Sequence, residues 1–475
     1  MSEELKLDKK NFTEWYERVL KYAEVLDDRY PLKGSYVWMP YGFKALKLML
    51  KKIEELLDET GHQDTYFPLL VPISIFKKES DFLKGFGGST LRITHVGEKS
   101  LDEELVMRPT SETVMYYMFS LWIRSWRDLP LKLYQIVPIF RWETKMTKPM
   151  LRVREVIKFK EAHTAHATKE EADQQIKEGV EIYSKFYDFL KVPYVVLRTP
   201  EWSTFAGALY NYDHVTVMPD GKATELGSVI NLGQKFAKAF DIKYLDKNEK
   251  KKYVWQTCYG ISERALGVVL SLHGDNKGLI FMSKIAPIQI IIIPILTGEK
   301  DNEKLIEWAK KLKEELKEYR VKIDTSEDTV GSKFYHWEAK GVPIRIEIGE
   351  KEVKEKDVTV VRRDIGKEEI VKETKLKSKL KKLLEEIDEN LYKNAEKFFK
   401  SMISETETIE EALKILESKK GIVKIPWCGN NSCGKQTEEK LVGEALGINE
   451  NEKGKGICPV CKNKAKHMLY LGRTY

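Results

Sequence analysis

Hydrophobic and polar positions change period repeatedly along this chain, and each change predicts an element. Phe12, Trp15, Val19, Tyr22 and Leu26 recur at helical spacing, which predicts an amphipathic helix over 11–28. A longer one is predicted over 43–59, closing at Gly61. HQDTYFPLLVPISIF reads as a strand interrupted at Pro68, because proline sits at edges or breaks of sheets. Residues 101–126 read as a short strand, LVMRPTS, followed by a helix. The apolar run IVPIFRWE then alternates, and Val153, Glu155, Ile157, Phe159, Glu161 and His163 alternate again. Between them lie mostly polar, partly basic residues, 144–150, so strand, basic loop, strand is the simplest reading. Period two then puts Arg141 and Glu143 on one face, and Phe159, Glu161 and His163 on one face of the partner.

Further on, the pattern predicts a helix over 169–190 and strands over 192–198 and 212–218, with the turn MPDGK after them. TELGSVINLGQKFAKAF reads as a small-residue turn running into a helix. The polar tip LDKNEKKK separates strands near 240–257, and YVWQTCYGISERALGVVLSLHGD gives a strand, a glycine and a helix that starts near Arg264. At about 286 the rhythm changes. IQIIIIPI, a charged helix over 301–318, VKIDT, FYHWEAKG, PIRIEIG and VTVVRR alternate β and α, the pattern of a compact α/β domain of roughly 90 residues. Residues 371–418 are rich in Lys and Glu and read as helical.

A chain of 475 residues exceeds one ordinary core. The pattern divides it at 1–285, 286–378 and 379–475. Charged residues make up 33 %, and 81 Lys and Arg against 74 Asp and Glu leave a net charge of +7. That balance is compatible with a nucleic-acid partner without requiring one. The N-terminus MSEELKLDKKNF carries no apolar leader, and the longest apolar run, residues 285–296, is too short to span a bilayer. Five cysteines do not make a disulfide scaffold in a chain this long, so a reducing, cytoplasmic setting is expected.

Several residues carry candidate chemistry. A sheet face bearing Arg141, Glu143, Glu161 and His163 is costly to bury unless it holds a polar ligand; the alternative is a solvated face. Thr110, Ser111 and Glu112 open a helix like an ordinary cap; the alternative is that Thr110 and Glu112 face a ligand ammonium. Arg264 calls for an anion, either a phosphate or a surface carboxylate. Four residues lie between Cys428 and Cys433 and two between Cys458 and Cys461, and 24 residues separate the pairs. That spacing points to a closed, structural zinc site with four thiolate ligands; four reduced thiols are the alternative. Cys258 stands alone in the first domain, where packing is its ordinary role.

Taken together these segments carry a resemblance. GSYVWMPYGFKALKLMLKKIEELLDETGHQDTYFP resembles motif 1 of the class II aminoacyl-tRNA synthetases, FRWE with RVRE motif 2, and YGISERALG motif 3. RPTSE, FKEAHTAH, EWSTFAGA and QTCYG are similar to the prolyl-tRNA synthetase family, in its archaeal/eukaryotic-like branch. The resemblance implies a multidomain α/β and α+β chain: a class II catalytic domain built on an antiparallel sheet, an α/β anticodon-binding domain and a small C-terminal zinc-binding domain. It implies ATP with Mg²⁺, L-proline and tRNA(Pro) as substrates and partners, a homodimer, and neither membrane nor DNA. Arg141 and Arg264 would be catalytic. Thr110, Glu112, Arg141, Phe159, Glu161, His163, Phe205 and Cys258 would hold the amino acid. Arg141, Glu143, Arg152, Val153, Glu225, Ser228 and Arg264 would hold ATP, and Glu338, Lys340, Arg345 and Glu347 would read the anticodon. Only 86 residues separate His166 from Tyr253, too few for an inserted editing domain of the bacterial type.

The chain also departs from the family. Glu225 stands where a Gln is usual, and Ile230 replaces a polar side chain on the substrate side. Two alternatives therefore stand beside proline activation. One is a class II paralogue with another amino-acid choice; the other is a non-catalytic tRNA- or protein-binding paralogue.

Overall fold

The structure is a computed structural model that describes residues 8–78, 88–144, 146–296 and 302–475. Residues 1–7 of the charged N-terminal segment and Lys145 of the basic loop lie outside the described residues.

The architecture rests on one mixed sheet. Among the described residues it has eleven strands, in the order Ile403–Glu405, Ile422–Trp427, His467–Gly472, Glu444–Ile448, Val195–Arg198, Tyr210–Val217, Ala223–Gly233, Trp255–Ile261, Glu155–His166, Leu131–Phe140 and Gln63–Asp64. All neighbours are antiparallel except the outermost pair at each end. The expected 192–198 and 212–218 strands, the hairpin around LDKNEKKK and the strand before Arg264 are all present. Helix Lys169–Phe189 covers one face of the sheet. It starts where the Thr168 side chain accepts from Glu171 N and two glutamates fill the first turn. Its Gly179 lies so close to the sheet that an added Cβ would fall 2.8 Å from Val229 Cγ1. The opposite face is left to the site.

Four local expectations are corrected. The first helix stops at Tyr22, because Glu24 takes a left-handed φ of 55° and the chain turns into the short strand Leu26–Asp27. HQDTYFPLLVPISIF gives two short strands in different sheets, Gln63–Asp64 and Leu70–Pro72, with a helical turn, Ile73–Phe76, after them. Residues 225–231 form no turn: Ala223–Gly233 is a strand in the middle of the sheet, buried on both faces for most of its length, which removes the alternation that would mark it. The long helix after 371 ends at Ser401, and a strand, Ile403–Glu405, precedes helix Ile409–Ser418.

The second domain has a five-stranded sheet in the order Val321–Ile323, Ile290–Pro294, Ile344–Ile348, Asp357–Arg362, Glu368–Lys372. Its first three strands are parallel. It meets the first domain through charged contacts. Arg363 clasps the Asp275 carboxylate with both terminal nitrogens at 2.8 and 2.6 Å, and Lys277 Nζ reaches Glu338 Oε1 at 2.9 Å. Gly278, at φ 140°, passes so close to Ala339 that a Cβ would fall 2.4 Å from its Cα. The C-terminal domain joins the first differently, because its strands continue the large sheet through the pair Ile448–Arg198. No helix among the described residues is long and apolar enough to cross a membrane.

Candidate active site

Strands Leu131–Phe140 and Glu155–His166 pair so that Gln135 lies opposite Glu161, Leu133 opposite His163 and Val137 opposite Phe159. Phe159, Glu161 and His163 point to one face, as period two requires. Arg141 and Glu143 lie just past the end of their strand, and Arg141 N still donates to Arg154 O at 2.9 Å. Over this face lies a cavity of about 300 Å³. Its lining includes Thr110, Glu112, Arg141, Glu143, Arg152, Val153, Phe159, Glu161, His163, Phe205, Glu225, Ser228, Cys258 and Arg264, every residue that the sequence had nominated for amino acid or ATP.

The floor is a buried polar network. Glu161 Oε2 accepts from Thr110 Oγ1 at 3.2 Å and Ser111 N at 3.1 Å, while Oε1 accepts from the Ser111 hydroxyl and from Gln135 Nε2 at 3.1 Å. Burial opposes the Glu161 charge, but His163, the Ser111 hydroxyl and the field of Arg108 outweigh it and hold the carboxyl below its usual range. The Thr110 hydroxyl donates to Glu112 Oε2 at 2.5 Å. Ser111, the N-terminal flank of helix Glu112–Trp122, makes no side-chain cap, so these polar groups turn into the site instead of closing the helix. Those hydrogen bonds stand where the ordinary cap would be. His163 Nδ1 meets Tyr116 OH at 3.0 Å, and its Nε2 stands 3.6 Å from Glu161 Oε2. Burial, with Glu112 and Glu161 nearby, pushes the Cys258 thiol well up, so it is a neutral wall.

Two arginines, Arg141 and Arg264, line this cavity and feel each other's charge. Arg141 Nε donates to Pro109 O at 2.9 Å, and the group lies 5.6 Å from the centre of the Phe159 ring. Burial lowers the Arg141 pKa, Glu112 and Glu161 act against that, and Arg264 adds to it. Arg264 donates to Leu151 O and Glu225 O, both at 3.2 Å. Two cations held in one cleft repel unless an anion lies between them. Ser228 Oγ donates to Glu225 Oε1 at 2.9 Å. Across the strand pair, burial and the Glu225 charge push the Asp213 carboxyl up to about 8. Arg152 is tied to the Tyr475 carbonyl, and Tyr475 OH donates to Asp220 Oδ2 at 2.9 Å.

Sequence reasoning missed Arg108, Ser111, Gln135, Tyr116 and Asp213. Gln135 had a detectable signal, a single amide inside the apolar strand LKLYQIVPIF. Arg108 left none, since its guanidinium bonds the carbonyls of Phe67 and Pro138, which are distant in sequence.

In the second domain Glu338 and Lys340 sit at the seam. Lys340 is 4 % exposed, with its ammonium 2.5 Å from Glu24 Oε2 and over the Tyr41 ring. Arg345 Nε donates to Glu347 Oε1 at 2.8 Å, and its guanidinium stacks 4.0 Å from the Phe334 ring centre. In the third domain the Sγ atoms of Cys428, Cys433, Cys458 and Cys461 lie within 4.8 Å of one another. Four thiols that close, with Cys461 and Cys428 at 3.5 Å, are the donor set of a soft metal.

An antiparallel sheet that carries an arginine from each of two motifs into one cavity is the architecture of a class II aminoacyl-tRNA synthetase. The family described as tRNA synthetase class II core domain (G, H, P, S and T) matches residues 95–273, the anticodon binding domain 289–383, and the prolyl-tRNA synthetase C-terminal domain 409–475. A Proline--tRNA ligase of Pyrococcus abyssi is 46 % identical over 472 residues, 98 % of each chain. That of Ignicoccus hospitalis is 44 % identical over 480 residues, 99 % of this chain and 100 % of its own. A Giardia lamblia prolyl-tRNA synthetase, solved in complex with prolyl-adenylate, superposes with a TM-score of 0.95 at 35 % identity, covering 99 % of this chain and 100 % of that one. The chain belongs to the prolyl-tRNA synthetase family.

Proposed function

We propose that the cavity activates L-proline with ATP and passes it to tRNA(Pro). The observation that carries this is the meeting of Arg141 and Arg264 above a floor of Thr110, Glu112 and His163. Both reactants are anions, so catalysis here is charge neutralisation and positioning. Thr110 orients the Glu112 carboxylate toward the substrate's ammonium, and His163 lies beside the substrate. Phe159, Phe205 and Cys258, backed by Glu161, surround the small ring. Arg141 spans the proline carboxylate and the α-phosphate with its planar fork. One carboxylate oxygen attacks the α-phosphorus in line, the bond to the bridging oxygen breaks, and pyrophosphate leaves. No base is needed, since the attacking carboxylate is already ionised. Glu143 accepts from the adenine amino group, beside Val153, and Arg152 and Arg264 hold the phosphate tail. The Glu225 carboxylate and Ser228 hydroxyl, 2.9 Å apart, are hard oxygen donors that suit Mg²⁺. When bound, that ion neutralises phosphate charge. In the second step a terminal ribose hydroxyl of tRNA attacks the prolyl carbonyl carbon of the adenylate; the hydroxyl gives up its proton, the bond from that carbon to the phosphate oxygen breaks, and AMP leaves.

Arg345 and Glu347, with Glu338 beside them, are the side chains proposed to read anticodon edges, while Lys340 holds the seam behind them. The four cysteines are proposed to hold structural Zn²⁺. A homodimer formed through the motif 1 segment and a cytoplasmic setting complete the proposal.

Pyrophosphate exchange with proline, alanine and cysteine in parallel tests it. Proline should dominate; stronger exchange with another amino acid would point to Ile230 and its neighbours as a changed pocket, and none with any would leave only a binding role. Arg141→Ala and Arg264→Ala should each lower exchange by roughly 10²–10³-fold with the fold intact. Near-normal exchange in either would refute the assignment.

A further inference from the structure

After the Val195–Arg198 strand the chain leaves the sheet over residues 199–209, and along the way it carries Phe205 into the cavity. Both ends of this strap are pinned to the catalytic sheet. Thr199 Oγ1 donates to Asn211 Oδ1 at 2.6 Å, and Leu209 N donates to Asn231 O at 2.8 Å. Phe205 N also donates to Asn211 Oδ1, at 3.4 Å, but residues 201 and 202 are held elsewhere. Its short helical turn, Glu201–Ser203, leans on helix Asn431–Leu441 of the C-terminal domain. Trp202 Nε1 donates to Glu438 Oε2 at 2.7 Å, and Asn431 Nδ2 donates to Glu201 Oε2 at 2.7 Å. The indole fills the space over Gly434, where a Cβ would fall 2.2 Å from Trp202 Cη2 and 2.8 Å from Cζ2. It meets Trp427 edge-on, with ring centres 5.6 Å apart and an interplanar angle of 83°. Glycine is a poorer helix former than alanine, and here the missing Cβ is what admits the indole. Trp427 and Gly434 each adjoin one of the clustered cysteines, Cys428 and Cys433.

We propose that Trp202 is a positioning residue for the amino-acid pocket: through helix Asn431–Leu441 the C-terminal domain sets where Phe205 stands, and so how closely the apolar wall fits the substrate's side chain. The proposal rests on the proline-activating reading of the cavity. A small apolar ring offers few polar handles, so its binding depends on how tightly such walls close. Phe205 is three residues from Trp202, just past the end of the helical turn, and Ser203 N and Thr204 Oγ1 both bond back to Pro200 O, at 2.9 and 3.0 Å, which makes one compact unit of Pro200 to Thr204. A shift of the indole therefore moves Phe205.

The test uses the full chain with Gly434→Ala, Trp202→Phe and the conservative Glu438→Gln. Gly434→Ala and Trp202→Phe should raise the KM for proline in pyrophosphate exchange by about tenfold, the low end of what one methylene-sized misfit is worth. The KM for ATP and the kcat at saturating proline should stay within about twofold. Glu438→Gln, which keeps an acceptor for the indole, should stay near wild type. Adding Phe205→Ala to Gly434→Ala should cost little beyond Phe205→Ala alone, the non-additivity expected of residues acting through one contact. Hydrogen exchange gives a readout independent of substrate: amides within 199–209 should lose protection in Gly434→Ala. An unchanged proline KM with retained protection would overturn the proposal, as would equal losses for ATP and proline. A wild-type chain that exchanges with no proline would refute the substrate assignment instead, and the strap's protection would then decide the coupling by itself.

Discussion

At the residue scale, Glu161 shows how much polar support one buried carboxylate needs. It is 2 % exposed and takes donors from Thr110, from Ser111 twice and from Gln135. A buried acceptor that loses a donor bears the desolvation cost of that group, about 1–3 kcal/mol. Ser111→Ala should therefore destabilise the chain by about that amount in urea unfolding, and raise the proline KM as the Thr110 segment loosens; unchanged stability would mean the hydroxyl is dispensable. Glu161 and His163 could be found from sequence because charged residues at period two inside an apolar run are conspicuous. Of their supporters, Gln135 stands out as a lone amide in an apolar strand but without a stated role, and a serine before a helix has an ordinary explanation. Only the tertiary register, Gln135 opposite Glu161, separates the two readings.

At the element scale, strongly periodic segments were legible and doubly buried ones were not. Helix Pro40–Asp58 begins three residues before its predicted start, with proline at its first position, as helix geometry favours. Strand Ala223–Gly233 was missed because Gly227 and Ser228 imitate a turn and because burial on both sides leaves no polar face to count. Helix Asn431–Leu441 is the element most exposed to the state of the cysteine cluster, since Cys433 lies in its first turn and the helix is otherwise short and polar. A short helix gains most of its stability from what it packs against. Chelation should thus strip amide protection from 431–441 and 457–464 while strand Tyr210–Val217 keeps its own, as read by hydrogen exchange. Full protection in a metal-free sample would show that packing alone holds the segment.

For the whole molecule, the order of domains was legible because the hydrophobic rhythm changes near 286, but their joining was not, since it rests on contacts such as Arg363 to Asp275 between residues far apart in sequence. Stability against pH is also a property of the whole. Burial holds His62 and His214 down to about 3 and His166 and His273 down to about 4. The unfolded chain protonates these rings near 6.5, so the unfolded state binds more protons there and stability falls as pH drops below that value. Burial pushes Glu263 and Asp213 up to about 8, so the fold keeps protons that the unfolded chain has lost, and stability falls as pH rises toward 8. Where both act, the four rings outnumber the two carboxyls. The urea midpoint should therefore peak at about pH 6.5; a midpoint still climbing at pH 8 would contradict the burial of these groups.

The large sheet ends in stubs. Its outermost strands are Gln63–Asp64, two residues long, and Ile403–Glu405, three residues long. An open, regular border is what lets one copy of a protein template onto another, and a two- or three-residue border offers almost nothing to grip. The C-terminal layer extends the catalytic sheet past Val195–Arg198 through Arg198 opposite Ile448, so that strand is not the sheet's last. Two copies joined as proposed through the motif 1 segment would therefore owe nothing to strand pairing at these borders.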